Sequence, residues 1–123
     1  MGPFAIDHVQ TAIPVGGEAA ARGFYGALIG LTEIPKPADM AARGGCWFSV
    51  GDRQLHLGVE QDFVAAKKAH VALRTDGLNA LRDRLNAAGC VTTDDRPVDG
   101  RARFFTADPF GNRIEFIEAR QLT

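Results

Sequence analysis

The chain has 123 residues and is 46% apolar, enough for one ordinary globular core and too little for several domains. Its 14 Lys and Arg nearly cancel 15 Asp and Glu, and no basic cluster exceeds Lys67-Lys68, so nothing argues for nucleic acid or an anionic membrane as partner. No apolar run approaches the roughly 18–20 residues of a membrane span, and the first residues lack a signal-peptide pattern, so a cytoplasmic protein is expected.

In chain order, residues 4–13 read as a strand of apolar and β-branched residues, closed by Pro14 and the Gly16-Gly17 turn. Residues 18–29 read as a helix. Ala19, Ala20 and Ala21 favour it, Phe24, Leu28 and Ile29 share one face, and Gly30 suits its C-cap. Residues 31–34 form a short strand that Pro35-Lys36-Pro37 ends, and 38–43 one short helical turn. Residues 45–50 and 53–59 pair as a hairpin around Gly51-Asp52, and 60–68 connect to a second half. There, 69–75 is a strand and Asp76 an N-cap for a helix over 77–88, with Leu78, Leu81 and Leu85 on one face. Residues 90–93 are a short strand, 94–100 a loop, and 103–106 with 112–118 the last hairpin, around Asp108-Pro109-Phe110-Gly111. Cys46 and Cys90 have no framework spacing and read as buried, reduced thiols.

The order β-α-β-β-β therefore occurs twice, in modules of about 4–60 and 67–119 within a single domain over 1–123. An internal duplication on this scale sets the fold class before any single motif does. The expected architecture is α+β: paired β-α-β-β-β modules forming a curved, mostly antiparallel sheet around a cavity, with helices on the outer face.

The duplication also places four polar side chains at matching positions. His8 and His56 fall on the first and last strands of the first module, His70 and Glu115 on the first and last of the second. Side chains alternate across a strand, and His56 lies between Leu55 and Leu57, Glu115 between Ile114 and Phe116, His70 between Ala69 and Val71. The apolar neighbours face the helices, so the imidazoles and the carboxylate face the other side. These are all the histidines of the chain. Imidazole with carboxylate suits one divalent transition metal, Ni, Fe, Mn, Zn or Co, while the lack of thiols argues against a structural zinc.

The stretch Asp108-Pro109-Phe110-Gly111-Asn112-Arg113-Ile114-Glu115-Phe116 is similar to the "DPxGxxxE" hairpin of the vicinal oxygen chelate superfamily. Gly23-Phe24-Tyr25-Gly26-Ala27-Leu28-Ile29-Gly30-Leu31 is similar to its "FYxxxLG" first helix. His8 and His70 sit where the first and fifth strands of those enzymes supply ligands. The chain resembles that superfamily from about residue 4 to 118; its members include glyoxalase I, extradiol dioxygenases, fosfomycin-resistance proteins, methylmalonyl-CoA epimerase and bleomycin-resistance proteins. The resemblance implies His8, His56, His70 and Glu115 as metal ligands. His56 stands where glyoxalase I-like members more often have Glu and the epimerase Gln. A three-ligand set of His8, His70 and Glu115, as in the extradiol and fosfomycin branches, remains open.

The function that the resemblance implies is a metal-dependent, glyoxalase-like lyase or isomerase acting on a small substrate with two vicinal oxygens through an enediolate. Glu115 is its catalytic residue, and Trp47, Phe48, Phe105 and Arg113 are its substrate contacts. Ring cleavage is disfavoured, because every histidine is spent on a ligand position and the one tyrosine, Tyr25, belongs to a helix. Fosfomycin-type thiol transfer would need a basic pocket, for which Arg113, Arg101 and Arg103 are available without a specific motif. The alternative from a different class is a metal-free, bleomycin-resistance-like protein that sequesters a drug or metabolite in a cleft lined by residues such as Trp47, Phe48, Phe104, Phe105 and Phe110. A homodimer is expected, since a module of about 55 residues buries little core alone.

Overall fold

The computed structural model describes residues 2–119. The chain divides into two compact units, Met1–Val64 and Ala65–Thr123. Unit 1 contains β1 (His8–Ile13), α1 (Glu18–Ala21) continued by a π-helix (Arg22–Leu28), β2 (Thr32–Ile34), a 3-10 segment (Ala38–Arg43), β3 (Cys46–Val50) and β4 (Arg53–Val59). Unit 2 contains β5 (Val71–Thr75), α2 (Leu78–Ala87), β6 (Thr93–Asp94), β7 (Arg103–Ala107) and β8 (Arg113–Glu118).

Each unit forms its own four-stranded sheet, in the order β1-β4-β3-β2 and β5-β8-β7-β6. The first strand of each unit lies parallel to the last, and the other pairings are antiparallel. The fold class is α+β with mostly antiparallel pairing, as two mixed sheets. The crossover through the helix is what allows the parallel pair, since parallel neighbours need a long connection. Among the described residues no helix is long and apolar enough to cross a membrane.

Alternation assigns the two faces of each sheet. In unit 1, Ile13, Leu55, Leu57, Cys46 and Phe48 are buried together with Ala21, Phe24 and Tyr25 of the helical segment. Tyr25 stands 6.0 Å from Phe48, ring centre to ring centre, and edge-on to Phe24 at 5.0 Å. In unit 2, Phe104, Ile114 and Phe116 are buried with Leu78, Leu81 and Leu85 of α2, and Phe104 packs 5.5 Å from Phe116. Filling such a face with aromatic and branched side chains contributes about 1.5–3 kcal/mol per side chain taken out of water. The opposite faces carry the polar candidates.

Several boundaries differ from the sequence reading, each for a local reason. β1 starts at His8, because β4 starts at Arg53 and the register pairs His8 with Gln54; residues 4–7 have no partner strand. The first helix is α-helical for one turn and then widens, the Ile29 N–H reaching back five residues to the Phe24 carbonyl at 2.9 Å. The N-cap of α2 is Gly77 rather than Asp76, and Thr75 Oγ1 accepts the Gly77 N–H. β6 is only Thr93–Asp94, since the Cys90 N–H is spent on the Leu85 carbonyl, closing α2 behind Gly89 at φ +88°. Both cysteines are free thiols.

Candidate functional site

The parallel pairing of first and last strands brings the polar candidates together within each unit. In unit 1, the register sets Gln10, His56 and Trp47 in one row across β1, β4 and β3. The His56 ring lies flat against the Trp47 indole, with centroids 3.8 Å apart and planes 1° apart. From β1, the His8 imidazole stacks on His56 at 4.2 Å and 17°. His56 is only 5% exposed, and its Nε2 lies 2.8 Å from Gln54 Oε1, which makes Nε2 the protonated nitrogen of a neutral ring. Burial, and then the neighbouring His8, holds the His56 pKa below the ordinary histidine value. His8 Nδ1 bonds Asp7 Oδ2 at 2.9 Å, a contact that keeps the Asp7 carboxyl below the usual range. A cavity of about 280 Å³ opens on this face, with His8, Trp47 and His56 in its wall.

In unit 2, Glu115 is 7% exposed and Phe105 is its partner across β7 and β8. His70, one residue ahead of β5 and with its side chain 27% exposed, places Nε2 2.9 Å from Glu115 Oε1. Its other nitrogen, Nδ1, donates to the Lys68 carbonyl at 2.9 Å, which turns the ring toward the carboxylate. Arg103 Nη1 stands 3.5 Å from Glu115 Oε2. Arg103 is itself fixed, its Nε donating to the Arg96 carbonyl at 2.8 Å and its Nη2 lying 3.4 Å from Asp95. The Arg113 guanidinium covers the Phe105 ring at 3.9 Å, and the His70 ring meets Phe105 edge-on at 5.1 Å. A buried carboxylate is thus held by an imidazole on one oxygen and a guanidinium near the other.

The Asp108-Pro109-Phe110-Gly111-Asn112 turn explains why Glu115 is so placed. The buried Asp108 carboxylate accepts the Phe110 N–H at 2.9 Å, the Asn112 N–H at 2.8 Å and the Asn112 side-chain amide at 2.9 Å. The Asp108 N–H donates in turn to the Asn112 carbonyl, and Gly111 takes φ +92°. The motif is a rigid hairpin tip that fixes the register of β8, and with it the face on which Glu115 stands.

Of the residues singled out in the sequence, the structure brings His8 to His56 with Trp47, and His70 to Glu115 with Phe105 and Arg113. Phe48 does not belong with them. It is 0% exposed and pairs with Leu55 on the helix-covered face, one residue out of phase with Trp47, so its expected role as a substrate contact is corrected to core. Phe104 is core as well. Sequence reasoning missed Gln54 and Arg103 as partners of His56 and Glu115. Strand alternation could have found Arg103, which stands two residues from Phe105 on the same face.

The donors are chemically of the kinds a divalent transition metal takes: imidazoles and a carboxylate, two per unit and each on the helix-free face. In kind the residues fit such an ion. Among the described residues, no three His, Cys, Asp or Glu side chains gather into a cage, and the donors occur as the two pairs given above.

A family model for the Glyoxalase/Bleomycin resistance protein/Dioxygenase superfamily matches residues 5–116. A glyoxalase family protein from Bacillus anthracis, so named, is 47% identical, with 98% of each chain covered and a TM-score of 0.91. A glyoxalase/dioxygenase from Nostoc punctiforme (21% identity, 98% of this chain and 97% of that one, TM-score 0.76) shares the fold. So does a lactoylglutathione lyase from Agrobacterium tumefaciens (22%, 97% and 96%, TM-score 0.71). Comparison with the curated proteins finds no match.

Proposed function

This chain belongs to the glyoxalase/bleomycin resistance protein/dioxygenase superfamily, and on that premise we propose that it is a lyase or isomerase moving a proton on a small substrate with two adjacent oxygens. Glu115 is the group that moves the proton, and a homodimer is the working form. The observation that carries this reading is the buried Glu115 carboxylate with His70 Nε2 at 2.9 Å. A carboxylate fixed in orientation by its partners is a better-aimed base than a freely rotating one.

His8 with His56 in unit 1, and His70 with Glu115 in unit 2, are donor pairs of the kind that would hold a divalent transition metal. Such an ion would supply Lewis-acid polarisation of the substrate and stabilisation of developing negative charge. The remaining work falls to the chain itself. Glu115 accepts the proton from the carbon beside the carbonyl and returns it to the neighbouring position. His70 and Arg103 keep the carboxylate aimed. Phe105, under the Arg113 guanidinium, walls that face with an apolar surface that excludes water. General-base assistance of this kind contributes about 10²–10⁴ in rate.

Solvent-deuterium exchange into 2-oxoaldehyde adducts and 2-oxo and 2-hydroxy acyl compounds, read by proton NMR, tests the reading. Exchange that a chelator abolishes and added metal restores is expected. A second reading, metal-free sequestration of a drug or metabolite, draws on the Trp47–His56–His8 stack bordering a cavity. If no compound exchanges and an aromatic ligand binds regardless of chelator, sequestration replaces catalysis.

A further inference from the structure

The unit 1 cavity carries more charge than its ring stack requires. Besides His8, Trp47 and His56, its wall includes Lys36, Arg43 and Gln10. Among the described residues, no Asp or Glu lines it. Lys36, between two prolines, donates from Nζ to the Gly44 carbonyl, which draws the ammonium in against the wall. Arg43, the last residue of the 3-10 segment, has no hydrogen-bonded or ion-paired partner among the described residues. Glu18, the carboxylate whose charge acts on Lys36, accepts the Gly45 N–H at 2.9 Å. The Gln10 amide lies over Gly58, within 2.8 Å of where a Cβ would stand.

Lys36, which shares the field of Glu18, and Arg43, which has no ion pair among the described residues, together favour an anion in this concave space, and a guanidinium fork matches the two oxygens of a carboxylate or phosphate. The volume, about 280 Å³, is at the small end of ligand pockets, which run about 300–1,000 Å³, and a stacked aromatic wall suits a planar body. We propose that this cavity is an oxyanion subsite: Lys36 and Arg43 recognise the carboxylate or phosphate of a small planar molecule lying beside Trp47, with Gln10 bonding a second polar group. The inference rests on the reading of this fold as one for small oxygenated molecules, and defines the ligand of the unit 1 cavity as anionic.

Trp47 is the only tryptophan of the chain, so its fluorescence reports on this cavity alone. Phenylglyoxylate, its uncharged methyl ester and phenyl phosphate are titrated into the full chain, its Glu115→Gln variant, Lys36→Met and Arg43→Gln. At least one of the two anions should bind about tenfold or more tighter than the ester, weaken as salt is raised, and bind the Glu115→Gln variant as tightly as the parent. Which anion prevails identifies the source of the oxyanion. Arg43→Gln should cost the anion about tenfold and leave the ester unchanged; because Arg43 makes no side-chain hydrogen bond or ion pair among the described residues, this variant stays interpretable if Lys36→Met loosens the Gly44 turn. Equal binding of ester and anions, no binding of either anion, or indifference to Arg43→Gln would overturn the subsite. Since fluorescence needs no turnover, a cavity that binds while no compound exchanges deuterium rejects the catalytic reading and leaves the subsite standing.

Discussion

Units 1 and 2 are built on one plan and put different chemistry on it. Each pairs its first strand in parallel with its last, runs the remaining strands antiparallel and buries one face under a helix. At matching positions unit 1 has two stacked imidazoles backed by an indole, and unit 2 an imidazole bonded to a carboxylate with an arginine beside it. The first arrangement is flat, borders a cavity and suits holding a ligand. The second is a hydrogen-bonded imidazole–carboxylate pair suited to moving a proton. A duplicated frame fixes where side chains point; the residues set on it then diverge without disturbing the packing behind them.

The comparison breaks most readily at residues on opposite faces of the same hairpins. Phe48→Ala should cost about 3–5 kcal/mol in urea denaturation, because the ring is fully buried against Tyr25. Phe105→Ala, on the Glu115 face, should cost clearly less stability and weaken the hold on Arg113. Equal losses would mean that the polar faces are packed as tightly as the cores. Asp108→Ala should cost about 1–3 kcal/mol by orphaning the Phe110 and Asn112 N–H groups. It should also reduce activity more than Phe48→Ala does in the fraction still folded, since β8 loses its register.

A smaller effect separates the two units by pH. The His56 pKa is depressed in the folded state, chiefly by burial, so the unfolded chain takes up that proton first as pH falls. The contribution of neutral His56 is therefore complete above about pH 6.5, the unperturbed histidine value, and is lost as pH falls through the lower folded value. In chelator-treated protein, His56→Gln should flatten the stability profile below that point; an unchanged slope would place the titration elsewhere. The smallest effect belongs to the half-exposed Arg22–Glu33 pair at 3.0 Å, where Arg22→Gln should cost about 0.2–1 kcal/mol, less in high salt.

Much of this was legible because alternation and turns are local. Leu55-His56-Leu57 and Ile114-Glu115-Phe116 state which face is which, and Gly51-Asp52 and Asp108-Pro109-Phe110-Gly111 state where the hairpins turn. Phe48 was misplaced for want of register: beside Trp47 in sequence, it faces the other way. The π-helical stretch could not be read from Gly23 to Leu28, whose residues suit an ordinary helix; burying adjacent Phe24 and Tyr25 in one core depends on tertiary packing. Lys36 and Arg43, separated by a proline and a 3-10 segment, carry no periodicity that would have joined them in one cavity.

The division of labour between the units is tested most directly by deuterium exchange at saturating substrate in Glu115→Gln, with Trp47 fluorescence followed on the same samples. Exchange should fall by about 10²–10⁴ while ligand binding beside Trp47 and the melting temperature stay near those of the parent. Undiminished exchange, or binding lost together with exchange, would contradict the assignment of proton transfer to unit 2 and ligand holding to unit 1.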